Sequence, residues 1–187
     1  MSDRFDIRET SIPGLTLIQR RPLQDSRGYL ERVFCMQELG EIMRGRSIVQ
    51  INRTLTSRRG TVRGMHYQEP PAAEAKLVSC LRGEVYDVAV DLRESSPTFL
   101  QWHAERLSAE NRRTLAIPEG FAHGFQTLTD ECELLYLHTA AYAPEAERGL
   151  DPRDPMLAVD WPLKISELSP RDAKLPLLGS DFRGLDA

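Results

Sequence analysis

Short runs in which apolar and polar side chains alternate fill most of this chain, as in Glu84-Val85-Tyr86-Asp87-Val88-Ala89-Val90-Asp91. A period of two places one face of a strand against a core and the other toward solvent. The pattern predicts strands over Leu15 to Leu23, Tyr29 to Phe34, Ser47 to Thr56, Gly60 to Gln68 and Lys76 to Leu81. It predicts more over Gly83 to Leu92, Phe99 to Leu107, Arg113 to Pro118, His123 to Thr129 and Cys132 to Tyr142. Breakers such as Arg82-Gly83, Ser96-Pro97, Glu119-Gly120 and Asp130-Glu131 fall between them. Only Met36 to Arg44 carries a helical period, and it is short. From Ala143 onward, prolines at 144, 152, 155, 162, 170 and 176 break the regularity, so this segment is predicted to wrap the strands. The expectation is an all-β fold, a sandwich or jelly-roll barrel with a few short peripheral helices, as one domain over residues 1 to 187.

Composition narrows the partners. The 187 residues are 41% apolar and 28% charged, enough for a sizeable core. A net charge of -4 offers no general basic footprint for nucleic acid, although Arg58-Arg59 and Arg63 can serve a small anion. No run approaches the ~18 apolar residues of a membrane span. The opening MSDRFDIRET lacks the apolar core of a signal peptide, so a cytoplasmic protein without a membrane partner is expected. Cys35, Cys80 and Cys132 are odd in number and lack ligand spacing, and they read as free thiols in a reducing compartment.

Two segments carry the chemistry: TVRGMHYQ (Thr61 to Gln68) and IPEGFAHGF (Ile117 to Phe125). They resemble the two half-motifs of a cupin jelly roll (a double-stranded β-helix), with one histidine in each half. A metal-binding cupin usually offers His-x-His and a nearby Glu in its first half, whereas here Gln68 stands in place of the second histidine. Stable binding of zinc or a transition metal usually needs about three or four ligands, and His66 and His123 fall short of that. No metal or other cofactor is expected, and the histidines are assigned to proton chemistry or substrate binding.

Metal-free removal of a proton from carbon needs a neighbouring carbonyl, a base near neutrality, a cation or donor at the enolate oxygen, and an acid opposite if a centre is inverted. Histidine suits the base, with an ordinary pKa of about 6.5. Tyrosine is a neutral acid, and lysine a compact cation. His66, Lys76 and Tyr136 supply one of each. Taken singly, Tyr136 also reads as a core residue and Lys76 as a solvated strand end.

The strings VQINRT, SRRGTVRGMHYQ, AKLVSCLRGEVYDVAVDLRESSPTF, LSAENRRTLAIPEGFAHGF, YAPEAERG, VDWP and LSPRDA occur in order from about Pro13 to Leu178. In this the chain resembles the dTDP-4-dehydrorhamnose 3,5-epimerases, cupin enzymes acting on nucleotide-linked 4-keto-6-deoxysugars. The resemblance implies His66 as general base, Asp172 as its orienting carboxylate, Tyr136 as acid and Lys76 beside the enolate oxygen. It implies His123 near the sugar and Arg27 and Arg63 on the diphosphate, where bidentate guanidinium contacts suit phosphate oxygens. Glu31, Gln50, Asn52, Glu147 and Arg171 match further substrate contacts, and Tyr142 a tyrosine framing sugar and phosphate. A dTDP-linked 4-keto-6-deoxysugar substrate is implied, as is a homodimer with an N-terminal strand crossing to the partner's sheet.

Plainer readings stand beside these. Asp172 can cap a helical turn after Ser169 and Pro170, Arg27 can be a turn residue, and Glu147 with Arg148 a solvated pair. The glycines of GEVYDV and PEGFAHGF read as turn formers and not contacts. Departures from the family are Ala116 in LAIPEGF, Pro152 in LDPRDP, Ala141 beside Tyr142, and Arg171 at a position more often lysine. They bear on base and sugar specificity more than on reaction type. The rival readings are a single-carbon epimerase, a metal-dependent cupin dioxygenase and a silent sugar-nucleotide-binding protein.

Overall fold

The computed structural model describes residues 4 to 186. In chain order, β1 (Phe5–Glu9) and β2 (Thr16–Arg20) are followed by an outlying hairpin of β3 (Leu23–Asp25) and β4 (Gly28–Leu30), and then by helix α1 (Met36–Leu39). The body comprises β5 (Gln50–Thr56), β6 (Val62–Gln68), β7 (Lys76–Arg82), β8 (Glu84–Asp91), β9 (Trp102–Ser108), β10 (Arg113–Ile117), β11 (Phe121–Thr127) and β12 (Cys132–His138). A short β13 (Glu147–Gly149) and a single 3-10 turn at Asp172–Lys174 lie in the C-terminal segment. Six strands pair as β1-β2-β10-β7-β12-β5 and five as β13-β6-β11-β8-β9, forming the two facing sheets of a jelly roll. No helix among the described residues is long and apolar enough to cross a membrane.

Alternation explains how the sheets meet. Cys132 and Leu134 on β12, Val78 and Cys80 on β7, Val85 and Ala89 on β8, and Phe121 and Phe125 on β11 pack together between them. The intervening residues point outward. Leu77, Ala116 and Leu137 meet Leu39 and Met43 of the α1 region. Val88, Val90 and Ala122 are covered by Leu150, Leu157, Leu178 and Leu185 of the C-terminal segment. Burial of this kind contributes roughly 25 cal/mol per Å² of apolar surface, so each sheet is stabilised on both faces. Ala116 therefore lies on the outer face under α1, away from the barrel interior.

Several boundaries differ from the sequence expectation. The predicted helix to Arg44 stops at Leu39, where Gly40 ends it, and turns follow. Leu15 to Leu23 is not continuous, because Pro22 separates β2 from the hairpin. Tyr29 to Phe34 keeps strand pairing only to Leu30. Cys132 to Tyr142 ends at His138. Alternation missed β1, whose side chains are mostly exposed, and the three-residue β13. β1 pairs antiparallel with β2 of its own chain.

Candidate active site

Each inward-facing row changes character toward one end of the barrel. On β12, Cys132 and Leu134 give way to Tyr136 and His138, and on β7, Cys80 and Val78 give way to Lys76. Those polar ends line a cavity of about 230 Å³ together with His66, His123, Arg63, Gln50 and Asn52. His66 comes from β6 in the five-stranded sheet and Tyr136 from β12 in the six-stranded one, so they stand on opposite walls of one cavity.

Two glycines bring the imidazoles together. Gly64 has φ +120, and a Cβ there would lie 2.6 Å from Gly124 Cα and 2.7 Å from the His123 carbonyl oxygen. Only glycine combines that dihedral with so close a backbone approach. Register slips beside this contact, and His66 pairs directly with His123 across the strands. Gly83 and Gly120, at positive φ, do lie in connections between strands, but Gly124 sits within β11. Its role is to admit β6, which corrects the reading of it as a turn former.

Each imidazole is held by a buried carboxylate. His66 Nε2 lies 2.8 Å from Asp172 Oδ1, and Asp172 Oδ2 accepts from the Gly64 N–H at 3.3 Å. Burial works against the Asp172 charge, but His66, the Gly64 N–H and Ser169 outweigh it and hold the carboxyl below the usual range. Ser169 Oγ accepts from the Asp172 N–H at 3.0 Å, so the expected turn forms as well, with the Asp172 side chain spent on His66. His123 Nε2 lies 2.8 Å from Asp87 Oδ1, inside the barrel. A carboxylate on one ring nitrogen fixes the tautomer and leaves the other free to accept a proton.

The opposite wall carries the phenol and the cation. Burial, then the Asp87 charge, pushes the Tyr136 phenol up, so it stays protonated. Its ring meets His123 edge-on at 6.0 Å between centroids and lies parallel to His138 at 5.8 Å. Lys76 Nζ is 2.7 Å from Glu74, whose other carboxylate oxygen is 2.7 Å from His138 Nδ1.

At the rim, Tyr142 donates from its hydroxyl to Glu147 at 2.6 Å, and Arg171 pairs with the other oxygen of that carboxylate. Gln50 Oε1 accepts from the Tyr142 N–H at 3.0 Å. Gln68 spends its amide on the backbones of Ala72, Ala141 and Ala143, stapling the loops behind the cavity. Two predicted site residues are not brought in. Arg27, on the outlying hairpin, pairs with Asp25 at 2.6 Å. Glu31 lies 3.3 Å from Arg20 and 3.7 Å from Arg112.

The sequence reading passed over Glu74, Asp87, His138, Thr54 and Phe125. The signal was present in the alternation. Asp87 shares a register with Val85 and Ala89, and His138 with Tyr136, whereas Glu74 lies in the connection before β7 and Phe125 is apolar, so neither carries that signal. A polar residue on a strand's inward face is the mark to seek.

Comparison with known proteins agrees over nearly the whole chain. A family model described as dTDP-4-dehydrorhamnose 3,5-epimerase matches residues 9–180. The chain is 43% identical over 173 residues to the dTDP-4-dehydrorhamnose 3,5-epimerase of Salmonella typhimurium, covering 91% of this chain and 93% of that one. It is 40% identical over 173 residues to a dTDP-4-dehydrorhamnose 3-epimerase of Streptomyces niveus, covering 92% and 83%. Among solved structures, the Legionella pneumophila dTDP-6-deoxy-D-glucose-3,5-epimerase in complex with dTDP-4-keto-L-rhamnose superposes with a TM-score of 0.87. Its identity is 42%, and 92% of each chain is covered.

Proposed function

The chain belongs to the dTDP-4-dehydrorhamnose 3,5-epimerase family, and from that premise we propose that it inverts C3 and C5 of a dTDP-4-keto-6-deoxyhexose. The reaction is dTDP-4-dehydro-6-deoxyglucose to dTDP-4-dehydro-L-rhamnose. The observation that carries it is the pairing of His66 and Tyr136 on opposite walls of one cavity.

C3 and C5 both adjoin the C4 ketone, so loss of either proton gives an enolate. His66, oriented by Asp172, takes the proton on its free ring nitrogen, and the C–H electron pair moves into the C4–O enolate. The Lys76 ammonium balances the oxyanion. Tyr136 then returns a proton to the opposite face, and its elevated pKa keeps that proton in place until the carbanionic carbon claims it. Arg63 serves the diphosphate, while Gln50, Asn52, His123, Tyr142, Glu147 and Arg171 contact the sugar nucleotide.

The enzyme works as a homodimer in this reading. The hairpin carrying Arg27 exposes Leu23 by 50%, Tyr29 by 63% and Leu30 by 72%, and edge strand β5 exposes Ile51 by 63%. A second copy covers these apolar groups and brings Arg27 and Glu31 toward a site.

Turnover of dTDP-4-dehydro-6-deoxyglucose in D2O, followed by NMR, tests the assignment. Deuterium at both C3 and C5 of a rhamno-configured product is expected. Label at neither carbon would overturn the reading. The 40% identity to a relative named a 3-epimerase keeps a single-carbon reaction as the second reading, and label at one carbon alone would select it.

A further inference from the structure

The cavity wall beneath Lys76 contains a charged unit that proton transfer itself leaves unused. Glu74 sits at its centre, 2.7 Å from Lys76 Nζ through one oxygen and 2.7 Å from His138 Nδ1 through the other. The side chains of Lys76, Glu74 and His138 are only 8%, 11% and 11% exposed. Lys76 and His138 are direct neighbours across β7 and β12, so the backbone fixes their spacing while Glu74 closes the side-chain bridge. The His138 ring lies against Tyr136 with an interplanar angle of 13°, and its Nε2 is 3.4 Å from Asn52 Nδ2.

We propose that Glu74 and His138 are positioning residues for the epimerisation: Glu74 anchors the Lys76 ammonium and His138 pins both Glu74 and the Tyr136 ring. This rests on the roles given above to Lys76 and Tyr136. Lysine reaches its site on a flexible four-carbon stem, so an unanchored ammonium spends little time where an enolate oxygen forms. Catalysis by a charge depends on its being in place before the charge it meets develops. A carboxylate alone would fix the ammonium and also offset its field. The imidazole N–H draws on the second oxygen of that carboxylate, which leaves more of the lysine's charge for the substrate. The same imidazole closes one face of the phenol's slot, with His123 closing an edge. One hydrogen-bonded unit thereby sets the cation and the acid together.

The test uses the 187-residue chain with dTDP-4-dehydro-6-deoxyglucose and compares His138→Leu, His138→Asn, Glu74→Gln and the Glu74→Gln/His138→Leu double variant. Fold is checked by circular dichroism and nucleotide binding by dTDP affinity. His138→Leu should lower kcat roughly tenfold, the loss expected with a hydrogen bond to a charged group, and leave KM and dTDP affinity within about twofold. His138→Asn keeps a donor near the place of Nδ1 and should recover most of kcat. The double variant should be slower than either single variant by less than the product of their separate losses, since Glu74 and His138 share one hydrogen bond. Wild-type kcat in His138→Leu, a change confined to KM, or losses that multiply in the double variant would overturn the proposal. Should His138→Leu fail to fold, Glu74→Gln and His138→Asn decide by the same kcat-against-KM split. An unaltered enzyme that gives no epimerisation would defeat the functional reading itself. Turnover in the unaltered enzyme with matching turnover in the variants defeats this inference alone.

Discussion

Asp172 and His66 are 106 residues apart in the chain and 2.8 Å apart in the fold. The contact joins the C-terminal segment to β6, so the His66 ring is held in this orientation only once that segment has docked. Asp172→Asn keeps the shape and removes the charge that stabilises an imidazolium. It should lower kcat by about a hundredfold or more, within the range that general-base catalysis supplies, while dTDP binding persists. Steady-state kinetics beside dTDP titration would check this, and an unimpaired kcat would remove Asp172 from the mechanism.

Tyr136 reaches the same cavity from the facing sheet, and the two walls should separate kinetically. Tyr136→Phe preserves the ring between His123 and His138 but not its proton. Solvent deuterium should still enter recovered substrate through His66, while product formation falls by roughly a hundredfold. Equal loss of exchange and product would place the phenol on the deprotonation side.

Glu74 gives the stability a distinctive dependence on pH. Burial opposes its charge, but Lys76 and His138 prevail and hold the carboxyl down to about 2, against an ordinary 4.5. A folded-state value below the unfolded one means stability that is fully present above about pH 4.5 and is lost as pH falls through about 2. Glu74→Gln should therefore cost on the order of 3 kcal/mol near neutral pH. The gap from the parent protein should narrow below pH 4.5 and close near pH 2. Denaturant unfolding at a series of pH values would show it, and a gap that does not vary with pH would refute it.

Gly64→Ala tests the approach of β6 to β11. Its Cβ would press on backbone at Gly124 and His123 and would hold alanine at φ +120. A loss of about 2 kcal/mol or more is expected, lowering Tm by about 4 °C or more. Activity should fall further than Tm suggests, because His66 lies two residues away. Calorimetry with kinetics would reveal a variant unaffected in both, which would contradict the close packing.

The dimer proposal predicts that light scattering on the parent protein gives twice the chain mass. Leu30→Arg places a charge at a side chain 72% exposed in the single chain, so its own fold should survive. Its mass should halve and its KM should rise as Arg27 is withdrawn from the partner's site. A parent protein that is already monomeric and fully active would dismiss the dimer.

The sequence by itself determined most strands of the two sheets, though not β1 or β13, because alternation is local: a residue's inward or outward side follows from its neighbours two places away. It also marked His66, Lys76 and Asp172 through strings specific to one family, and Tyr136 through the resemblance that those strings carry. Only the tertiary structure decided which of these share a cavity, since β6 and β12 belong to different sheets and Asp172 arrives from a segment without regular pattern. It likewise revealed Glu74 and His138, whose partnership spans 64 residues and depends on the pairing of β7 with β12. Contacts between strands are set by register and by the docking of distant chain, and these are fixed by packing of the whole core. No window of neighbouring residues contains that information.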